Sequence, residues 1–289
     1  MKKMSWGDCV NYFLLILFAF CCLFPFFYVV SVSLSDPEHY VSLKFILVPE
    51  KFSLAAYRFI LKTDSFLNCL RNSVMVTLIG TVLNLIVTFT GAYGLSKNDM
   101  PGTKLFLGLI TFTLVFNAGI VPNYILLKNM KMLNTYQALI LPGLTNAWSL
   151  LVVRNFMTAI PSEIEEAAQI DGYNDMRCFV QIILPLSMPS IATFALFFAV
   201  GHWNSYFNTM LYITDSSKWT LPVLVKTMVM DSSSTGYGAA SAISSDTKTV
   251  PQDTIKMAAI VLSMLPVIVL YPFLQKYFVK GVMVGAVKG

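Results

Sequence analysis

The sequence offers few groups able to make or break bonds. Its two histidines, His39 and His202, are too few for a histidine-rich metal centre, so no metal site is expected. The cysteines Cys9, Cys21, Cys22, Cys69 and Cys178 show no CxxC or Cys/His spacing. Cys21, Cys22 and Cys9 fall in or beside an apolar stretch, where they read as small packing residues. No GxxxxGK[ST] loop is present to cradle a nucleotide phosphate, and no Ser/His/Asp or paired-carboxylate arrangement suggests catalysis. What remains is hydrogen bonding and stacking. Asn117, Asn146, Trp203, Asn204, Tyr206 and Asn208, together with Asn84, Asn123, Trp148 and His202, are polar or amphipathic side chains within apolar stretches. Polar groups are costly in lipid and tend to face a protein interior or a path. Amides beside aromatic faces suit an uncharged sugar, which presents hydroxyls and apolar ring faces. Asn can equally bond a neighbouring membrane helix, and Trp or Tyr can mark the bilayer interface. His202 alone reads first as a hydrogen-bonded packing residue. Trp203 and Tyr206 are spaced i, i+3, and Asn204 and Asn208 i, i+4, on adjacent faces of one expected helix.

The elements that must position these groups follow from the charge pattern. Of 289 residues, 56% are hydrophobic and 12% charged. The mean hydropathy is +0.68. Soluble domains carry about 25% charged residues. Six charge-free runs, 9–35, 72–96, 105–127, 132–153, 178–214 and 257–275, are each dominated by Leu, Ile, Val, Phe and Ala. Each is near or above the roughly 20 residues that a helix needs to cross a hydrocarbon core. The alternation of membrane strands is not seen. The expectation is an all-α polytopic membrane protein with six transmembrane helices, near 9–34, 70–96, 103–127, 135–157, 187–212 and 254–279. A soluble enzyme is excluded, and a net charge of +5 spread over loops is no nucleic-acid footprint. Lys2 and Lys3 before the first run resemble a signal peptide, but the run is too long, so an uncleaved helix is expected. An even span number puts both termini on one side. Nine Lys/Arg fall on that side and eleven on the other, which does not orient the chain.

One polar stretch interrupts this pattern with strong local order, Ile160 to Tyr173. Ser162 and Glu165 have the spacing of a capping box behind Pro161, so a helix is expected to start there. Glu163, Glu165 and Glu166 would sit in its first turns, where carboxylates favour the helix dipole. Ile164, Ala167 and Ala168 would form a small apolar face. Asp171-Gly172 predicts a sharp turn with positive φ at Gly172. Asn174 can cap a second helix, which should end near Leu184-Pro185-Leu186. The predicted object is a helix–turn–helix elbow outside the bilayer. The residues alone leave open both a docking surface and a plain amphipathic connector. A Ser/Gly-rich loop around Asp231-Ser232-Ser233-Ser234-Thr235-Gly236 reads as exposed.

Glu166-Ala167-Ala168-x-x-Asp171-Gly172, followed by Phe179, Ile182, Leu184-Pro185-Leu186 and Pro189, resembles the EAA loop of bacterial ABC importer permeases. The resemblance covers roughly 70–289, with a MetI-like permease core at 70–280 carrying the loop at 159–189. Residues 1–69 add a first helix and an extracellular loop, and 281–289 a cytoplasmic tail. The tail Gly281 to Gly289 is similar to that of MalG-type carbohydrate permeases. The segments Phe116 to Pro122 and Gly201 to Asn208 look like the LplC/YtcP branch, linked to complex glycans.

The resemblance implies that Glu165, Glu166, Ala167, Ala168, Asp171, Gly172, Leu184 and Pro185 form the coupling contact with a cytoplasmic ATPase subunit. Lys288 and Gly289 are expected to reach the ATPase dimer as well. That sets the elbow and both termini on the cytoplasmic side of the bacterial cytoplasmic (inner) membrane. The implied partners are a second homologous permease in a heterodimer, two ATPase subunits and an extracellular substrate-binding lipoprotein or periplasmic binding protein. ATP and Mg would be held by the ATPase, with no cofactor on this chain. The implied activity is import of an oligosaccharide by alternating access, with no enzymatic step here. Other cargo for such a permease, peptides or amino acids, stays open on the residues alone. An ATP-independent secondary transporter is disfavoured by the lack of ionisable residues inside the runs other than His202.

Overall fold

A computed structural model describes residues 6–40, 47–97, 100–230 and 250–286. Lys288, Gly289 and the Ser/Gly-rich segment 231–249 lie outside the described residues. Among those described, the structure is helical, and β pairing is limited to an isolated bridge between Ser35 and Phe52. Helix α1 spans Trp6–Ser33, α2 Ala55–Lys62, α3 Asp64–Ser96, α4 Thr103–Val115 and α5 Ile120–Asn129. Next come α6, Gln137–Ile140, a 3-10 turn at Leu141–Gly143, α7, Ala147–Thr158, and α8, Ser162–Ile170. Helix α9, Asp175–Leu186, includes a π-helical stretch at Phe179–Ile183. It is followed by α10, Met188–Trp203, α11, Tyr206–Tyr212, α12, Leu221–Met230, and α13, Gln252–Ala286.

Among the described residues α1, α3 and α13 are long and apolar enough to cross a bilayer as continuous helices, and two bent pairs raise the number to five. The expected six is not reached, because charge-free sequence is not the same as continuous helix. The third expected span breaks between α4 and α5, which meet at 117°. There Gly119 adopts φ +84° and its N–H donates to Asn117 Oδ1 at 2.9 Å, a local turn that replaces helical bonding. The fourth, expected at 135–157, is divided by Pro142 and Gly143. Its remaining helix restarts at Ala147, where Asn146 Oδ1 accepts from Ser149 N at 2.8 Å. The fifth, expected at 187–212, breaks at Asn204-Ser205 into α10 and α11.

The chain divides into two compact units, 1–67 with 224–266, and 68–223 with 267–289. In the first, Ser33 Oγ and Tyr57 OH are 2.7 Å apart, and Ser53 N donates to Leu34 O at 2.8 Å. Val32, Ala56 and Ile60 are buried there, while the apolar side chains of α1 are largely exposed, as a lipid-facing helix requires. Tyr40 OH donates to Asp253 Oδ2 at 3.3 Å, and burial, reinforced by Asp253, pushes this phenol up to about 12.

The second unit holds two apolar cores, and α3 contributes to both. One gathers Phe89, Ala92, Tyr93 and Leu95 of α3 with Val153, Ala168, Phe179 and Phe194. The other gathers Val76 of α3 with Leu127, Met132, Leu139 and Tyr212. Beyond that second core, Asn72 Nδ2 donates to the carbonyls of Ser217 and Trp219 at 2.9 and 3.0 Å, and Asn134 Oδ1 accepts from Thr214 N and Asp215 N. These bonds fix the short connection between α11 and α12.

Candidate functional site

The elbow forms where it was expected, although its start differs. Pro161 precedes α8 with no side-chain cap, so the Ser162–Glu165 capping box is not made. Glu165 turns instead to Lys97, which follows the C-terminus of α3; a full ammonium outcompetes a backbone N–H for a carboxylate. The turn out of α8 is complete. Gly172 has φ +83°, its N–H donates to Gln169 O at 3.0 Å, and Tyr173 N donates to Ala168 O at 2.9 Å. That pair of bonds is a Schellman motif, and its usual apolar contact is present, since Tyr173 packs on the core containing Ala168. Asn174 then caps α9, accepting from Arg177 N at 2.8 Å. Between α9 and α10 the chain bends by 81°.

Burial sorts the expected coupling residues. Glu166, Ala167, Asp171, Gly172 and Pro185 are exposed, Leu184 is half-buried, and Ala168 is buried against α3 and α9. Glu165 is half-buried and turned inward. Two residues outside the expected set join the exposed side: Ile170, 87% exposed, and Met176, 67% exposed. Ile170 was legible as the apolar residue out of phase with the Ile164/Ala167/Ala168 face. The role of Lys97 was not, since its partner is 68 residues away. Lys97 Nζ also donates to Asp175 Oδ1 at 3.4 Å and lies 4.8 Å from the centre of the Tyr93 ring. Burial pulls this ammonium down, but hydrogen bonds to Glu165 and Tyr93 outweigh it and hold it above the ordinary lysine range.

A separate cavity of about 520 Å³ lies in the same unit. Asn84, Asn123, Asn146, Trp148, His202 and Asn208 line it with Phe197, Phe198 and Tyr212, and among the described residues no Asp, Glu, Lys or Arg does so. Asn84 Nδ2 donates to Gly143 O at 2.6 Å, leaving its Oδ1 to accept from His202 Nε2 at 3.0 Å. The imidazole lies across Gly80, where an added Cβ would meet the ring at 2.5 Å. Trp148 stands edge-on to Phe197, with ring centres 6.0 Å apart. Asn146 spends its oxygen on the α7 cap, so its amide N–H groups remain for a ligand.

Of the path residues expected from sequence, Asn146 and Asn208 line this cavity and Asn117, Trp203, Asn204 and Tyr206 do not. Asn117 supports the α4–α5 turn, Trp203 is buried, Asn204 sits in the interruption, and Tyr206 OH contacts Met210 Sδ at 2.7 Å. The break removes the continuous helix on which the i, i+3 and i, i+4 faces were reckoned. For metals, Asp36, Glu38 and His39 bring one ligand atom each within 4.8 Å on one turn, with His39 already paired to Asp36.

Apolar runs broken into bent helix pairs, an uncharged polar cavity and a helix–turn–helix elbow together define a permease subunit of a binding-protein-dependent transporter. The chain belongs to the ABC importer permeases with a MetI-like domain: the family of binding-protein-dependent transport system inner membrane components matches residues 104–284. Among similar proteins is the polygalacturonan/rhamnogalacturonan transport system permease protein YtcP of Bacillus subtilis (strain 168), 44% identical over 98% of both chains. Protein LplC of the same organism is 40% identical over 92% of this chain and 90% of its own. A chain from the crystal structure of a bacterial ABC transporter importing the acidic polysaccharide alginate is 32% identical, with a TM-score of 0.87 over 96% of this chain and all of that one. The chain is thus a multi-pass membrane permease, and the sugar-permease resemblance of its sequence stands.

Proposed function

We propose that this permease imports an oligosaccharide derived from a complex glycan. The observation that carries this reading is the 44% identity, over 98% of the chain, with a permease named for polygalacturonan and rhamnogalacturonan. The cavity supports it: amides and aromatic rings without fixed charge match hydroxyl-rich rings. On this reading Asn146 and Asn208 contact the sugar, with Asn84, Asn123, Trp148 and His202 around them. Asn117, Trp203, Asn204 and Tyr206 stay within the proposed path as its supports.

The chain pairs with a second homologous permease. Two cytoplasmic ATPase subunits hold ATP and Mg, and this chain binds no cofactor. The exposed side of the elbow, Glu166, Ala167, Asp171, Gly172, Ile170 and Met176, seats in an ATPase subunit, and both termini lie in the cytoplasm. A sugar-loaded binding protein docks outside, on the loops 35–67 and 213–252. Nucleotide and loaded binding protein act by favouring different states of one inward–outward equilibrium.

The test is uptake by the complete importer reconstituted in vesicles with its binding protein, offered oligogalacturonides, neutral oligosaccharides and peptides in parallel. ATP-dependent accumulation of an oligosaccharide is expected. Accumulation of peptide alone, or uptake without ATP, would discard the reading.

A further inference from the structure

The elbow touches the membrane helices in two ways. One is apolar: Ala168, Tyr173 and Phe179 pack on the core containing Tyr93, whose ring stacks on Phe179 at 4.8 Å. The other is polar and centres on Lys97 Nζ, beside a bond of 3.4 Å from Tyr93 OH to Asp175 O. Lys97 Nζ donates to Glu165 in α8 and to Asp175 in α9, one carboxylate from each arm of the Gly172 turn. Beside this junction lies a cavity of about 630 Å³, lined by Lys97, Met100, Met157, Glu166 and Gln169 among others. The arms are therefore not close-packed on α3 and α7 throughout, and the ammonium bridges where packing is open. Arg154 Nε donates to Leu95 O at 2.8 Å, so the end of α3 is held at its last turn as well.

Helix α3 is unbroken from Asp64 to Ser96. Asn84, which holds His202 at the polar cavity, lies thirteen residues before Lys97, about 20 Å along the axis at about 1.5 Å per residue. A displacement imposed on Lys97 therefore reaches Asn84 through rigid helix. We infer that Lys97 is a positioning residue for coupled transport: it ties both arms of the elbow to α3, so that movement of the elbow shifts the wall of the polar cavity. Glu165 is then an internal partner of this tie rather than an ATPase contact. The inference rests on the reading of the elbow as the ATPase-coupling element.

The experiment uses the complete importer in vesicles and reads sugar taken up per ATP hydrolysed, with copurification of the ATPase subunits as the measure of assembly. Lys97→Met should lower that ratio about fivefold or more. Lys97→Arg should keep it near wild type. The exchange Lys97→Glu with Glu165→Lys, made together with Asp175→Asn so that the new carboxylate at 97 faces no like charge, should restore it to within about twofold of wild type. Ile170→Asp, on the outward side, serves as the control for the elbow itself. A wild-type ratio in Lys97→Met, with Ile170→Asp impaired, overturns the tie and leaves the elbow reading standing. Wild-type ratios in both variants overturn the elbow reading and the tie with it. If Lys97→Met fails to assemble, the exchange decides: restored coupling supports the tie, and unrestored coupling in an assembled complex overturns it.

Discussion

His202 donates through Nε2 to Asn84 Oδ1 at 3.0 Å, joining α10 to α3 across 118 residues of sequence. The direction follows from the third partner. Asn84 gives its amide hydrogen to Gly143 O at 2.6 Å, so only its oxygen faces the imidazole, and Nε2 must carry a proton. Neutral His202 is thereby held in the Nε2–H form with Nδ1 as its acceptor. Three segments, α3, α10 and the 3-10 turn, meet at this wall of the polar cavity.

Gly80 makes that contact possible. Gly80→Ala would set a methyl 2.5–2.7 Å from the imidazole atoms, so the ring must leave Asn84. A loss of about 1–3 kcal/mol is expected from the overpacking. In a His202→Ala background the same substitution should cost about 1 kcal/mol less or better. Thermal unfolding of the four variants in detergent measures the coupling, and strictly additive effects would refute the contact.

Asn146 has two separable duties. Asn146→Asp keeps an oxygen for Ser149 N and should leave the α7 cap intact, whereas Asn146→Ala should lose about 1 kcal/mol. Both remove the amide donors. If those donors hold sugar, Asp and Ala reduce uptake alike while only Ala lowers the melting temperature. Full uptake by Asn146→Asp would restrict the residue to capping.

At Gly172 the constraint is conformational. A Cβ there would meet nothing within 4 Å, but φ is +83°. Gly172→Val should strain the turn by about 1–2 kcal/mol, and Gly172→Asn by less. Uptake per ATP is expected to fall for Val and to stay near wild type for Asn, with assembly kept in both. Reconstituted uptake and ATPase assays on the two variants test this; equal coupling in Val and wild type would contradict it.

The Lys97 tie has a defined pH behaviour. Its folded value is raised above the ordinary 10.5, so its stabilisation is fully present below that value and is lost as pH rises through the folded value. The stability difference between wild type and Lys97→Met should therefore be constant from about pH 7 to 9 and shrink only above about 10.5. Melting curves across this range check it. A difference that vanishes by about pH 8 would rule out a charged pair.

The elbow was legible because its determinants are local. Gly172 for the left-handed turn, Asn174 for the cap and Pro185 near the end each act within a few residues. The capping box failed for the opposite reason, since Glu165 found a stronger partner far along the chain. The spans were read from charge, and charge is silent about helix continuity. The interruptions do have signals: Asn117 to Gly119 before Pro122, Pro142-Gly143 and Asn204-Ser205 are turn formers inside apolar runs. Weighing them as breakers would have divided three runs and released Trp203 and Tyr206 from one shared helix. The Asn84–His202 bond joins distant segments, and no local pattern announces it.

The interruption at Asn204 makes a joint between two separately moored helices. On one side, α10 is anchored through Phe194 and Phe198 in the same core as the elbow; on the other, α11 is anchored through Tyr212 in the second core. One straight rod would tilt both ends together, so loosening either would loosen the other. With the joint at Asn204, either mooring can loosen without unseating its neighbour.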